Sequence, residues 1–416
     1  MSDQAKSETG PSEREQRARE WIRVLSEIPE RFAGTAAERS AAERTAEWMR
    51  ELGARDVSIV PTPGAPKPGF ALALHSGLAA LGCLWGGFPG VVLAILAAWS
   101  FRREHRRHQP FLAKLLPAPD SVNAIGRFGA EAPVRRVVMT AHIDAAQAGW
   151  LFSRQMAERF ASVARSVRRA DGPPPGPLAL PEALLIGASL VAVATWLGAH
   201  GLLVDLLKVA VVVPLLGIAG FSLQWAMARA TPGANDNASA VAAMLTCAER
   251  LLRQLPEDVG LQVIGTGAEE VGCCGMRGFI DRHSHWSPES TYFVNFECVG
   301  GGLLHFIRSE GVLEKVHFPP MLLELARRVA ASGVFGPVTP TDLLASTDGH
   351  VPAERGYPSL SLISLDPSGV PRNYHRIEDT VDGIDPAMVV RAADFAAAVT
   401  IAALRGEADP IVDATR

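Results

Sequence analysis

From Pro68 to Phe101 the chain carries no Asp, Glu, Lys or Arg, and a basic cluster follows at Arg102, Arg103, Arg106 and Arg107. The flanks are patterned as soluble protein. Asp56 to Pro61 reads as a short strand, and Val122 to Phe128 and Arg135 to Thr140 read as neighbouring strands. Strands of one sheet cannot lie on opposite sides of a membrane, so the apolar run must enter and leave on the same side. Two full crossings need about 20 apolar residues each, and this run is short for that. A helical hairpin turning near Gly86-Gly87-Phe88-Pro89-Gly90 is the expected form.

A second insert follows the same logic. Ala183 to Val204 and Val209 to Ala228 are free of charge, and only Asp205 and Lys208 interrupt them, at a spacing that lets the two pair on one helix face. Each run is near the length of a membrane span. Ahead of them, residues 150–169 pattern as a basic amphipathic helix. Trp150, Phe152, Met156, Phe160, Val163 and Val167 point one way; Arg154, Arg165, Arg168 and Arg169 largely point the other. Such a helix either lies in a membrane interface or covers a soluble core. A Gly/Pro linker, 171–181, separates it from the apolar runs. The competing account of both inserts is a set of soluble helices burying a dimer interface.

Composition excludes several classes. A net charge of -4 leaves no nucleic-acid footprint. The five cysteines are odd in number and lack Cys-x-x-Cys spacing, which argues against a disulfide framework or a structural zinc knuckle. The charged N-terminus has no apolar segment of signal-peptide type. Helices are expected over 13–28 and 36–52. From Thr231 onward helices (238–254, from near Gly275, 319–331, 387–404) alternate with strands (261–266, 291–296, 359–364). That alternation predicts an α/β sheet covered on both faces.

Five short motifs carry the chemistry: Ala-His-Ile-Asp (141–144), Ala-Asn-Asp-Asn (234–237), Gly-Ala-Glu-Glu (267–270), Asn-Phe-Glu (295–297) and Tyr-His-Arg-Ile-Glu-Asp-Thr (374–380). His142 follows one apolar strand, Glu269 and Glu270 follow another, and Glu297 ends a third. His375 lies in the loop after the strand 359–364. Ligands of α/β sheets gather beyond the carboxyl ends of the strands, so these residues can converge with Asp236. Two imidazoles among carboxylates, without thiolates, form a nitrogen/oxygen donor set suited to catalytic zinc. Of two adjacent glutamates, one can bind metal while the other moves the proton of an attacking water.

As an ordered set these stretches resemble the zinc aminopeptidases of metallopeptidase family 28, which include glutamate carboxypeptidase-like and glutaminyl-cyclase-like relatives. Arg31-Phe-Ala-Gly-Thr and Ser346-Thr-Asp-Gly-His with Gly356-Tyr-Pro add to the likeness. It spans 20–62, 120–147 and 231–404 and leaves out both apolar inserts. The resemblance implies a mixed central sheet with helices on both faces. It implies two zinc ions bridged by Asp236, with His142 and Glu297 completing one site and Glu270 and His375 the other. Glu269 would be general base and acid, Asp144 would orient His142, and Tyr374 would donate to the oxyanion. A cis peptide is implied at Asp236-Asn237. Glu297 stands where many members have Asp.

The expected organisation is a tail (1–12), a discontinuous peptidase domain (13–66, 110–149 and 230–408), a hairpin insert (67–109), and an amphipathic helix with a two-helix membrane insert (150–229). The expected activity is a membrane-attached dizinc aminopeptidase acting on peptides. Arg102 to Arg107, Arg165 to Arg169 and Arg229 lie on the domain side, which faces that domain to the cytoplasm. The partners are then a peptide substrate and the lipid bilayer, with self-association through the apolar hairpins a further expectation. A one-zinc acyl transferase of glutaminyl-cyclase type and a non-catalytic scaffold are the alternatives. Cys273, Cys274 and Cys298 read as buried, inert thiols.

Overall fold

The computed structural model describes residues 12–153, 156 and 176–406. Its strands are β1 (Asp56–Thr62), β2 (Ser121–Gly129), β3 (Arg135–His142), β4 (Val259–Thr266), β5 (Thr291–Glu297), β6 (Leu303–Glu310), β7 (Val316–His317), β8 (Val338–Leu343) and β9 (Ser359–Leu365). They form one nine-stranded sheet in the order β1-β2-β4-β3-β5-β9-β6-β7, with β8 paired to β6. The central strands β4, β3, β5 and β9 are parallel. β2 and β6 flank them antiparallel, so the sheet is mixed. Pro61, which has no N–H to give to a ladder, lies in the edge strand β1.

The helices are α1 (Glu13–Ser26), α2 (Ala36–Glu51), α3 (Pro68–Trp85), α4 (Gly87–Arg107), α5 (Ala179–Trp196), α6 (Leu202–Ala226), α7 (Ala240–Leu252), α8 (Cys274–Arg282), α9 (Pro320–Ala331), α10 (His350–Glu354) and α11 (Pro386–Arg405). Strand alternation decides which helices cover which face. Val137, Met139 and Ala141 of β3 and Tyr292, Val294 and Phe296 of β5 join a core with α1, α2, α7, α9 and α11. The intervening Val138 and Phe293 face the other way, onto Met276, Phe279 and Ile280 of α8. Parallel strands buried on both faces carry their catalytic ends at one edge of the sheet.

Two sequence expectations change here. β2 and β3 are not neighbours, because β4 lies between them. The short connection from β2 to β3 folds around the start of β4, where Ala130 N–H bonds Val259 O and Val134 N–H bonds Asp258 O. β4 is apolar on both faces, and its central position buries both. In the second insert the turn falls at Leu197 to Gly201, where Gly198 and Gly201 have positive φ, rather than at the charged pair. Asp205 and Lys208 therefore lie within one helix, α6. The amphipathic helix expected over 150–169 lies mostly outside the described residues; its first residues, Trp150–Phe152, form a 3-10 turn. Residues 1–11, residues 171–175 of the Gly/Pro linker and the stretch beyond 406 lie outside them too, and the end of the linker is helical from Ala179.

The apolar helices pack through small residues. A Cβ on Gly82 of α3 would stand 2.6 Å from Gly90 O of α4, and one on Gly69 would stand 2.5 Å from Ser222 O of α6. Such close backbone approach is how apolar helices associate when the hydrophobic effect offers little between them. Four helices among the described residues are long and apolar enough to cross a membrane: α3, α5, α6 and α11. α11 is largely buried against α7 in the main core, whereas α6 has a mean hydropathy of 2.4 over a window only 11% buried.

At the base of these helices Arg106 pairs with Glu182 of α5 at 3.0 Å and also with Glu314 in the loop before β7. Gly82→Leu is expected to force α3 and α4 apart and to destabilise the protein by about 1–3 kcal/mol, read as a fall in Tm of the detergent-solubilised chain.

Candidate metal centre

The carboxyl ends of the parallel strands deliver the predicted residues to one place. His142 is the last residue of β3 and Glu297 the last of β5; Glu269 and Glu270 follow β4, and His375 follows β9. Asp236 sits in the loop leading into α7, and the Asp236-Asn237 peptide is cis. Its two oxygens face two imidazoles. His142 Nε2 lies 3.3 Å from Oδ1, and His375 Nε2 lies 3.3 Å from Oδ2. His142 Nε2 is also 3.4 Å from Glu297 Oε1, and His375 Nε2 is 3.5 Å from Glu270 Oε2. Two ligand sets thus share Asp236: His142, Asp236 and Glu297, and Asp236, Glu270 and His375. Glu269 stands slightly farther off, 3.9 Å from His142 Nε2, and Cys273 Sγ donates to its other oxygen at 3.5 Å.

The residues flanking each ligand fix it. Asn237 donates to Phe296 O and to Glu297 Oε2, and accepts from Cys298 N–H at 2.8 Å. Asn235 accepts from Gly300 N–H at 2.8 Å and donates to Arg372 O at 3.0 Å. The two asparagines therefore fasten the Asp236 turn to the end of β5 and to the His375 loop. Asp379, four residues past His375, accepts the backbone N–H groups of Asn235 and Asp236 at 2.9 and 3.0 Å. The carboxylate of Asp144 accepts the N–H groups of Glu269 and Glu270 at 3.2 and 3.1 Å. Toward His142 Nδ1, Asp144 presents its backbone oxygen at 3.0 Å, with the carboxylate 3.5 Å away. It holds the glutamate pair as much as the imidazole.

Two residues that sequence reasoning left without a role complete the frame. Arg31 is fully buried and donates to Ile143 O, to Asp144 O at 3.3 Å, and to Pro232 O and Gly233 O at 3.1 Å each. It clamps the loop after β3 to the loop before α7. Burial lowers its pKa to about 10, opposed by Asp144, Asp379 and Asp236. Glu38 of α2 accepts from Gly34 N–H, Ser121 Oγ and Ala268 N–H, which seats the Gly-Ala-Glu-Glu turn. At Gly267 a Cβ would collide with Ser121 Oγ at 2.4 Å, so only glycine fits there. The signal for Arg31 was its place in a matched stretch; for Glu38 no local signal exists.

The donor set demands a cation. Asp236 Oδ2, Glu270 Oε1 and His375 Nδ1 are buried without a hydrogen-bond partner. Burial and the charges of neighbouring carboxylates push Glu269 and Glu270 well above the ordinary carboxylate range. Burial pulls His142 down, yet the charges of Glu297 and Glu269 hold it well above the usual imidazole value. Burial likewise opposes ionisation of Asp236, but the His142 and His375 imidazoles beside it keep its carboxyl below the usual range. Unpaired buried acceptors of one sign, with only imidazoles opposite, fit divalent metal. Burial and nearby carboxylates also raise the Tyr374 phenol, which stays protonated as a donor. Cys273 and Cys298 are buried, and burial raises their thiols well above the ordinary range; Cys274 is pushed up to about 12. These are inert thiols.

A second cluster, His108, His350 and Glu354, lies apart from this centre. Arg277 fills it, with Nη2 3.2 Å from His108 Nε2 and Nη1 3.5 Å from Glu354 Oε2, so it is an ion-pair cluster joining the end of α4 to α10. Burial and the charge of Arg277 push His350 down to about 4.

Residues 221–400 match the sequence model of peptidase family M28. Aminopeptidase YwaD of Bacillus subtilis is 30% identical over 187 residues, which cover 43% of this chain and 40% of that relative's length. The fold is similar to a zinc aminopeptidase from Bacillus subtilis, with TM-score 0.55 at 17% identity, covering 96% of this chain and 98% of that one. It is also similar to an aminopeptidase from Aneurinibacillus sp. strain AM-1, with TM-score 0.51 at 15% identity, covering 94% and 93%. These two likenesses establish the fold.

Arg31→Met removes a buried donor set from four carbonyls and is expected to cost about 2–4 kcal/mol, measured by denaturant unfolding. His350 supplies a pH test. Its depressed native pKa means that the unfolded chain binds the proton first, so stability falls as pH drops from about 6.5 toward about 4. His350→Gln should flatten Tm against pH in that window and leave it unchanged above it.

Proposed function

We propose, from the match of residues 221–400 to the sequence model of peptidase family M28, that this chain is a membrane-attached dizinc metallopeptidase, an aminopeptidase that removes N-terminal residues from peptides. The observation that carries this reading is the pair of ligand sets sharing Asp236, with Asp236 Oδ2 and Glu270 Oε1 buried without a hydrogen-bond partner. His142 and Glu297 would hold one zinc ion, Glu270 and His375 the other, and Asp236 both. Zinc at such a site polarises a carbonyl and acidifies water. Glu269, beside both sets, takes the proton from the attacking water and returns it to the leaving amine as the peptide bond breaks. Tyr374, stacked on His375 with ring centroids 3.9 Å apart, donates its phenol proton to the oxyanion as a hydrogen bond.

The membrane part of the proposal rests on α5 and α6, whose apolar faces are left exposed at Leu190, Leu203, Leu206 and Val213. They enter and leave on the side of the sheet, and α3 with α4 forms the shorter hairpin against them. Arg102, Arg103 and Arg106 lie on that side, and by the positive-inside tendency they support a cytoplasmic orientation.

The test joins metal analysis to a panel of aminoacyl chromogenic substrates. We expect two zinc ions per chain and hydrolysis that Glu269→Gln lowers about 10²–10⁴-fold with the zinc retained. About one zinc per chain, with no aminoacyl substrate cleaved, would sink the proposal.

A further inference from the structure

The described residues place the candidate metal centre at the foot of the most apolar helix. The Phe152 ring lies 4.4 Å from that of His375, 6.0 Å from that of Tyr374 and 5.6 Å from that of Trp225 in the last turn of α6. Hydrogen bonds lock this arrangement. Trp225 Nε1 donates to Gln147 O at 3.1 Å, Gln147 Nε2 donates to Ala226 O and Ala228 O, and Trp150 N–H donates to Gln224 Oε1 at 2.9 Å. Arg376, beside His375, donates to Phe152 O at 2.7 Å. The helix end, the loop after β3 and the His375 loop are one bonded unit.

The rim of this unit is apolar and open. Trp150 is 64% exposed, Met227 just past α6 is 76% exposed, and Ile377, two residues from His375, is 63% exposed. The two ring-to-ring steps from His375 to Trp225 are each comparable to the headgroup layer of a bilayer, roughly 5–7 Å deep on each side. Trp150, exposed and bonded to Gln224 in the last turn of α6, is the residue type that settles at that level. With α6 in the bilayer, a peptide terminus approaching the metal centre along this rim meets the lipid surface first.

We propose that this site takes its substrates from the membrane surface: its substrate class is peptides held at the bilayer by an apolar segment, whose free N-terminus is passed over Trp150, Met227 and Ile377 to the metal centre. The proposal rests on the peptidase and membrane assignments above. Phe152 is a positioning residue in it, because its ring packs against both His375 and Trp225 at the end of α6.

The experiment uses the full chain in phosphatidylcholine vesicles and two peptides of one sequence, one of them with a C-terminal hexadecyl chain. The wild type should show a higher kcat/KM for the anchored peptide. Sharing a vesicle raises that value by itself, so the deciding comparison is Trp150→Ala/Ile377→Ala. This variant keeps the shared vesicle, keeps the rate on the soluble peptide, and should lose roughly tenfold of the anchored-peptide preference. Should the double variant lose zinc, Met227→Gln alone takes its place and must show the same selective loss. A wild type without preference, or a variant with the full preference, overturns the proposal and leaves the peptidase assignment standing. Hydrolysis of neither peptide by the wild type overturns both.

Discussion

Buried carboxylates of like charge cannot stay together without compensation, and this constraint governs the catalytic edge of the sheet. Asp236, Glu270 and Glu297 are drawn in from three separate loops and strand ends toward two imidazoles. Hydrogen bonding alone leaves several of their atoms unpaired. Holding such a cluster costs free energy that a cation offsets, and the frame around it must be rigid enough to keep the ligands from swinging apart. Arg31, Asp144, Asp379 and Glu38 supply that rigidity by bonding backbone groups of the ligand loops. None of the four needs to touch a metal to be required.

Much of this was legible in the sequence, for a physical reason. Metal ligands must sit at strand ends or in tight turns, so each brings a local signature of apolar strand followed by acid or imidazole. Local patterning also gave α1, α2, α7, α9 and α11 to within a few residues. What was not legible depends on contacts distant in sequence. The insertion of β4 between β2 and β3 is set by which strand must be buried on both faces. β6, β7 and β8 escaped; of these β7 and β8 lie at the edge of the sheet, where Val338–Leu343 alternates weakly and carries Pro340. Glu38 looked like any helix-surface acid, and only its approach to Ala268, far along the chain, gives it a task. Phe152 patterns with an amphipathic helix that either lies in a membrane interface or covers a soluble core, whereas it closes against His375.

Among the described residues the apolar helices are fastened to the sheet and its loops by side-chain bonds. Arg106 reaches both Glu182 and Glu314, Lys67 Nζ donates to Ala226 O, and Gln147 bonds two carbonyls at the end of α6. Partly buried ion pairs and charge-assisted hydrogen bonds of this kind fix orientation more than they add stability. The sheet and the helical layer therefore hold one mutual attitude, and the aromatic contacts between Trp225, Phe152 and His375 follow from it.

Chain order gives Arg31 a further meaning. It is made early, before any ligand, yet its acceptors lie in two loops separated by the whole second insert: Ile143 and Asp144 on one side, Pro232 and Gly233 on the other. During synthesis His142 emerges while Asp236 is still to come, and α5 and α6 must turn back before the two can meet. A nascent chain whose helical pair failed to return would own half a centre and a guanidinium with half its partners. The four carbonyls can therefore meet one guanidinium only in a chain whose second insert has returned Pro232 and Gly233 beside Ile143 and Asp144.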